Sequence, residues 1–401
     1  MKVLFVIFLV VTGHSVLYAQ SASQLEGWLK RFPAADTNRD GQLTVEEAKA
    51  HRKRMQSARA GGTQRGPRRT FEVDPGWDAG RFPDHALCYK TPAEIQEVNA
   101  RVNGKNALLQ VPKPAGGTLR IVGTGHSFMG PGYRTFPKIC RAAGFEQPLL
   151  THTGGGITGS ARYKWEQENG IFQFAGKPRP KLLAAIATGE WDAMMWGPYY
   201  HDRPAYYACW IDFCLKYNPR MEFYLSDSWP QLSQLDTIPK SEDELDAETW
   251  LRLEREKQAG YVKLIAALDE KYPDKVHVMP TSEAMVRATQ RYYKGTLPGV
   301  EGVNESIGGK KYSLWRDQLG HLGPWFDRLE GYVFYATIYQ RSPALIDRAI
   351  AFDKPGRQKN LKEPSQKLDR IFREIAWEAV LHNPLADVVD ANGDGVGDRG
   401  E

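Results

Sequence analysis

Between positions 119 and 280, short apolar runs alternate with amphipathic stretches. The runs Leu119–Gly123, Leu149–Thr153, Asp192–Trp196, Met221–Ser226 and Val276–Pro280 are each followed by small or polar residues, the pattern of strands covered on both faces. Helical spacing lies between them, as in Phe136-Pro137-Lys138-Ile139-Cys140-Arg141-Ala142-Ala143. Strand, turn and helix in repeated alternation build a parallel sheet with helices on both faces, and ligand sites then fall at the carboxyl ends of the strands. Two stretches interrupt the rhythm. Ser241 to Lys271 is charge-laced at helical spacing and opens on Ser241-Glu242-Asp243-Glu244, predicting a solvated outer helix behind a cap. Tyr293 to Tyr312, rich in Gly and Lys, predicts a loop near the mouth of the site.

The two ends follow other rules. Met1-Lys2, the apolar run Val3 to Val11 and Val16-Leu17-Tyr18-Ala19 before Gln20 predict a signal peptide over residues 1–19. No later run reaches the ~18 apolar residues a second span needs, so the expected mature protein is secreted or periplasmic, with no membrane partner. Residues 20–58 form a short helical module, 59–70 a Gly/Arg linker, 71–385 the main domain and 386–401 an acidic loop.

Composition changes the picture only a little. A chain of 401 residues that is 41% hydrophobic and 25% charged is neither disordered, collagen-like nor a many-span membrane protein. Much of the excess behind the formal charge of +5 sits in the linker, which has no aromatic interleaving, so no nucleic-acid partner is expected. Cys88, Cys140, Cys209 and Cys214 are too few for a disulfide scaffold in a chain of this length, and buried thiols are the expectation.

Asp36-Thr37-Asn38-Arg39-Asp40-Gly41-Gln42-Leu43-Thr44-Val45-Glu46-Glu47 fits the EF-hand loop position by position. Asp36, Asn38, Asp40, Thr44 and Glu47 offer side-chain oxygens, Gln42 its backbone carbonyl, and Gly41 stands at the tight turn. The last residues repeat the pattern: Asp390, Asn392, Asp394, Asp398 and Glu401 hold the ligand positions, with Val396 at the carbonyl position. Gly397 replaces the usual apolar residue at position 8, so this is a half-formed EF-hand or a simpler aspartate-rich loop. Structural Ca2+ is therefore expected in both loops, and no organic cofactor.

Chemistry concentrates at the ends of the predicted strands. Gly123-Thr124-Gly125-His126-Ser127-Phe128-Met129 places Ser127 on the turn after the first strand, near the positive end of the next helix. The second strand ends in Thr153-Gly154-Gly155-Gly156, whose backbone N–H groups can face an oxyanion. Leu314-Trp315-Arg316-Asp317-Gln318-Leu319-Gly320-His321 brings an acid and a histidine onto one loop before a long helix. Ser, Asp and His in this order can serve as nucleophile, orienter and base.

Here the chain resembles the SGNH/GDSL hydrolases, in particular divergent exported members with Gly-His-Ser-Phe in place of Gly-Asp-Ser. The resemblance spans about residues 118–345 and implies a three-layer α/β/α, flavodoxin-like parallel sheet with the small EF-hand module as an appendage. It implies Ser127 as nucleophile, Asp317 and His321 as its partners, and Gly154 and Gly155 as oxyanion donors beside the Ser127 N–H. It further implies an O-acyl ester substrate, most plausibly an acetyl group on a polysaccharide.

Two positions depart from the family pattern. Asp317 and His321 stand as Asp-x-x-x-His where the family has Asp-x-x-His, which leaves open another acid as orienter. The third strand continues into Gly197-Pro198-Tyr199-Tyr200-His201-Asp202 without the family's Asn, so one oxyanion donor is absent or supplied otherwise. The alternative reading is accordingly a catalytically weak or inactive calcium-dependent binding protein on the same scaffold. His126, Tyr199, Tyr200, Asp227 and Trp229 are candidates for a substrate pocket, and Trp196, Trp229 and Trp325 for sugar stacking. His126, His201 and Asp227 match no metal-binding spacing.

Overall fold

The computed structural model describes residues 118–153, 182–197, 203–352 and 361–398, with 173–174, 177–178, residue 97 and parts of 29–51. The signal peptide, the linker, Cys88 and the Cys209 side chain lie outside the described residues. The chain divides into two compact units, Met1–Thr70 and Phe71–Glu401. Among the described residues no helix is long and apolar enough to cross a membrane.

In the second unit the elements follow as β1 (Ile121–Gly125), α1 (Met129–Ala142), β2 (Leu149–Thr153), α2 (Leu182–Ile186), β3 (Ala193–Trp196), α3 (Pro204–Tyr217), β4 (Glu222–Ser226), α4 (Ala247–Lys271), β5 (Val276–Met279) and α5 (Thr281–Tyr293). A small ladder of β6 (Gly302–Asn304) and β7 (Ser313–Trp315) comes next, then α6 (Phe326–Tyr339) and α7 (Gln366–His382). The central sheet has the order β2-β1-β3-β4-β5 and every pairing in it is parallel. The strand order reverses beside β1, so the crevice between the carboxyl ends of β1 and β3 is the expected ligand site of such a sheet.

Strand periodicity sorts the apolar residues into two cores. Ile121, Ala193, Met195, Tyr224 and Met279 face one layer, which holds α1, α5, α6 and α7. Val122, Met194, Trp196, Phe223, Leu225 and Val278 face the other, which holds α2 and α3. The α4 helix serves both: Trp250 and Leu253 join the first core, Tyr261, Leu264, Ile265 and Leu268 the second. On α1 the buried residues Met129, Gly132, Tyr133, Phe136, Ile139 and Cys140 recur at helical spacing, and burying Phe136 or Ile139 stabilises the fold by about 2 kcal/mol each. Gly132 lets α6 approach, since a Cβ there would lie 2.3 Å from the Phe334 ring. At that contact the buried Glu330 accepts from the Gly132 N–H at 2.7 Å, and burial pushes its carboxyl well above the usual range. Cys140 and Cys214 are buried free thiols.

Several boundaries differ from the sequence pattern for physical reasons. The first strand begins at Ile121 and runs through Gly125, because Gly123 and Gly125 are packing positions, not breakers. A Cβ on Gly123 would meet the Tyr133 ring at 2.7 Å, and Gly125, at φ +133°, lies against Met129 and the Gly197 backbone. The stretch from Ser241 is not one solvated helix. Ser241 and Glu244 box a single 3-10 turn, and Asp246 then caps α4 by accepting from Thr249 N at 2.7 Å. The stretch 293–312, expected as a loop, contains β6.

The acidic loops are bonded alike. In the first unit Gly41 N donates to Asp36 Oδ2 at 3.0 Å and Gln42 N to Asp40 Oδ1 at 2.8 Å. Glu47 accepts from the hydroxyls and backbone N–H groups of Thr44 and Thr37, which pull its carboxyl down to about 2. Leu43 is buried. In the second unit Gly395 N donates to Asp390 Oδ2 at 3.0 Å and Val396 N to Asp394 Oδ1 at 2.8 Å. That loop docks on the segment after α6, with Ser342 N donating to Gly395 O and Gly397 N to Gln340 O, each at 2.7 Å. Asn38 and Glu401 lie outside the described residues.

Candidate active site

Ser127 stands one turn beyond β1, at the reversal of strand order and exposed to solvent. A serine at this place is a ready cap for α1, yet the helix has no side-chain cap. The hydroxyl instead meets His321, with Oγ 2.8 Å from Nε2. The β1 edge is tied down beneath it: the Tyr133 hydroxyl lies 2.9 Å from the carbonyls of both Thr124 and Met195, bridging β1 to β3.

His321 arrives on a turn that leaves β7. Trp315 and Leu322 form an antiparallel bridge, and the chain between them closes through Arg316 N to His321 O at 2.9 Å and Gly323 N to Leu314 O at 2.7 Å. Gly323 must be glycine here, because a Cβ would lie 1.8 Å from Ser313 O. Inside this loop Gly320 N donates to Asp317 O at 3.1 Å, with Gly320 at φ +88°. The turn accommodates the extra residue of Asp-x-x-x-His: Asp317 Oδ2 lies 2.8 Å from His321 Nδ1, and Oδ1 accepts from His321 N at 3.0 Å. No other acid is needed to orient the ring. Asn304 Nδ2, on β6, donates to Asp317 O at 3.0 Å.

Electrostatics define the tautomer. Burial pushes Asp317 up, but the hydrogen bonds from His321 and the Arg316 guanidinium outweigh it and hold the carboxyl below its ordinary value. An ionised carboxylate only accepts, so Nδ1 carries the proton and the Nε2 lone pair faces the Ser127 hydroxyl. Such a relay can take a proton from the hydroxyl as its oxygen attacks an electrophilic carbon and later return it to a leaving group.

Phe128 joins the parts. Its ring stacks on Trp229 at 5.0 Å and meets His321 and His126 edge-on at 5.2 and 4.9 Å. His126 is half-buried and its Nδ1 accepts from Phe128 N at 3.4 Å.

No family model matches the chain, and no curated protein matches it. Among solved structures it is similar to a DUF4886 family protein from Bacteroides uniformis, at 13% identity over 66% of this chain and 95% of that one, with a TM-score of 0.42. It is also similar to a protein from Streptococcus pneumonia described provisionally as a platelet activating factor, at 11% identity over 62% and 94% of the two chains, with a TM-score of 0.32. Both scores are below 0.5, so neither likeness bears on what the site can do.

Of the residues singled out in the sequence, Ser127, His321 and Asp317 come together, with His126 beside them. Gly154, Gly155, Tyr199, Tyr200 and His201 lie outside the described residues; the glycine run follows Thr153, the register partner of Gly125. Asp227 and Trp229 do not line a pocket, being 2% and 1% exposed. Asp227 caps α5, whose N-cap Pro280 has no side chain able to do so: Oδ1 accepts from Ser282 N at 2.8 Å and Oδ2 from Gln258 Nε2 at 2.8 Å. Burial raises its carboxyl to about 6. Trp196, 1% exposed, stacks on Tyr207, and Trp325 stacks on Tyr312 while donating to Lys362 O, so neither is a free sugar platform. Phe128 and Asn304 were missed by sequence reasoning. An aromatic after the serine was visible there, whereas nothing in the sequence ties position 304 to position 317.

Proposed function

We propose that the protein is an SGNH-type serine esterase that removes O-acyl groups, acetyl in particular, from a carbohydrate. The observation that carries this reading is the continuous relay from Ser127 Oγ through His321 to the Asp317 carboxylate, 2.8 Å at each step, at the carboxyl edge where the strand order reverses. Ser127 attacks the ester carbonyl while His321 takes its proton, and His321 then protonates the departing alcohol. Water, deprotonated by the same imidazole, frees the acyl group and restores the serine. The Ser127 N–H, with Gly154 and Gly155, receives the oxyanion. His126, Tyr199 and Tyr200 flank the bound substrate.

The reading includes export through the N-terminal signal and structural Ca2+ in the two acidic loops. The donor set of Asp36, Asp40, Thr44, Glu47 and of Asp390, Asn392, Asp394, Asp398 is all hard oxygen, which fits calcium. Among the described residues no group of 3 or more acidic, His or Cys side chains converges as a metal site. The missing third-block Asn supports one other reading, a weak or inactive calcium-dependent binding protein. Hydrolysis of p-nitrophenyl acetate by wild type but not by Ser127→Ala, both folded and at equal calcium, is the expected result. Turnover unchanged by Ser127→Ala overturns the proposal, and calcium-dependent sugar binding without turnover supports the other reading.

A further inference from the structure

Resting on the esterase reading, we propose that Trp229 is a positioning residue that holds the His321 turn in register with Ser127. Its indole Nε1 donates to Gly320 O at 2.6 Å, the carbonyl immediately before His321. On its face the ring stacks on Phe128, the residue immediately after Ser127, at 5.0 Å and 12°. Phe128 in turn meets the His321 ring edge-on at 5.2 Å. One buried side chain thus touches a neighbour of each half: the Phe128 ring on the serine side by stacking, and the Gly320 carbonyl on the histidine side by a hydrogen bond.

The geometry gives this contact its importance. The turn from Asp317 to His321 faces solvent on its outside, with Leu319 62% exposed, so its position is decided from within. Gly320 sits hard against the Trp229 segment, since a Cβ there would lie 2.9 Å from Gln231 Cγ and 3.3 Å from Trp229 Nε1. The strut is itself anchored. Trp229 is 1% exposed, and its backbone carbonyl accepts from Lys257 Nζ, reaching in from α4, at 2.8 Å. Without the indole N–H, the Gly320 carbonyl loses its partner in the interior, and the turn relaxes toward water to recover one. A shift of an ångström in His321 lengthens the Ser127 contact beyond a hydrogen bond.

The test is Trp229→Phe in the full chain, which keeps a ring on Phe128 and removes the N–H. Folding is checked by circular dichroism, and two readouts follow. The first is the downfield proton resonance of the His321 Nδ1–H bonded to Asp317, identified by its loss in His321→Ala. The second is ester turnover. Expected are loss or broadening of that resonance and a fall in kcat of about tenfold with KM changed less than about twofold. A resonance and a kcat that both match wild type overturn the strut. Should Trp229→Phe fail to fold, Lys257→Met, which keeps the aliphatic stem but frees Trp229 O, is expected to shift both readouts the same way by about threefold. No change in either readout with that folded variant overturns the inference. If wild type turns over no ester, the esterase reading falls while the resonance still decides the strut.

Discussion

The serine half and the histidine half of the site are built by different means. Ser127 is held by short-range structure, the step from β1 into α1, with Gly123 and Gly125 letting Tyr133 and Met129 close over the strand end. His321 is held by a loop folded back on β7, and its place depends on contacts from other elements: Asn304 Nδ2, Ser313 O beneath Gly323, and the Trp229 indole, 91 positions from Gly320. A local half tolerates remote change. An assembled half concentrates its sensitivity in the few contacts that bring it in.

The largest effect should come from removing the base. His321→Ala is expected to lower kcat for an acetyl ester by about 10⁴-fold with little change in melting temperature, and an unchanged rate would separate the relay from the chemistry. Asp317→Asn comes next at about 10³-fold, because an amide nitrogen facing Nδ1 favours the wrong tautomer. A rate that recovers as pH rises would show the orienting role. Stability tests set the two halves against each other. Gly323→Ala, which drives a Cβ into a carbonyl oxygen, should cost about 3 kcal/mol in denaturant unfolding and loosen the His321 turn. Gly125→Ala strains a positive φ and meets the flexible Met129 side chain at 2.9 Å and Gly197 N at 3.2 Å, so about 2 kcal/mol is expected; equal losses would erase the distinction.

The smallest expected effect is electrostatic and lies on α4. Glu254 is pushed from 4.5 to about 7, first by burial and then by the Asp227 and Glu283 carboxylates. An acid raised in the folded state favours its protonated form there, so the contribution is present below about 4.5 and is lost as pH rises to about 7. Glu254→Gln should flatten the stability profile across that window and stabilise the fold at pH 8 by on the order of 1 kcal/mol once solvent screening of this partly buried group is counted, read from urea midpoints.

Local pattern made most of the sheet legible. Leu149–Thr153 has the bounds its sequence predicts, and the other central strands begin or end within a residue or two, because a strand buried on both faces is a continuous apolar run. The glycines of β1 misled by their usual meaning: they read as turn formers, and their role is to leave room for Tyr133 and Met129. The long charged segment misled by composition, since its buried positions are spaced too widely among Glu, Lys and Arg to stand out, yet Trp250, Leu253 and Leu268 are in the core. Asp227 and Trp229 sit at a strand end, where ligands bind, and side-chain direction placed them inward.

By itself the sequence determined the period of its apolar positions, hence a covered parallel sheet, and the types of group available at the strand ends. Those properties are local, carried by neighbours along the chain. Tertiary structure alone decided which groups meet. Ser127 and His321 are 194 positions apart, and the choice of Asp317 as the partner of Nδ1 follows from a turn held shut by Gly320, Gly323 and contacts from three other segments. A hydrogen bond works only within a few tenths of an ångström of its best length, and at such separation in the chain only a packed interior places two atoms that closely.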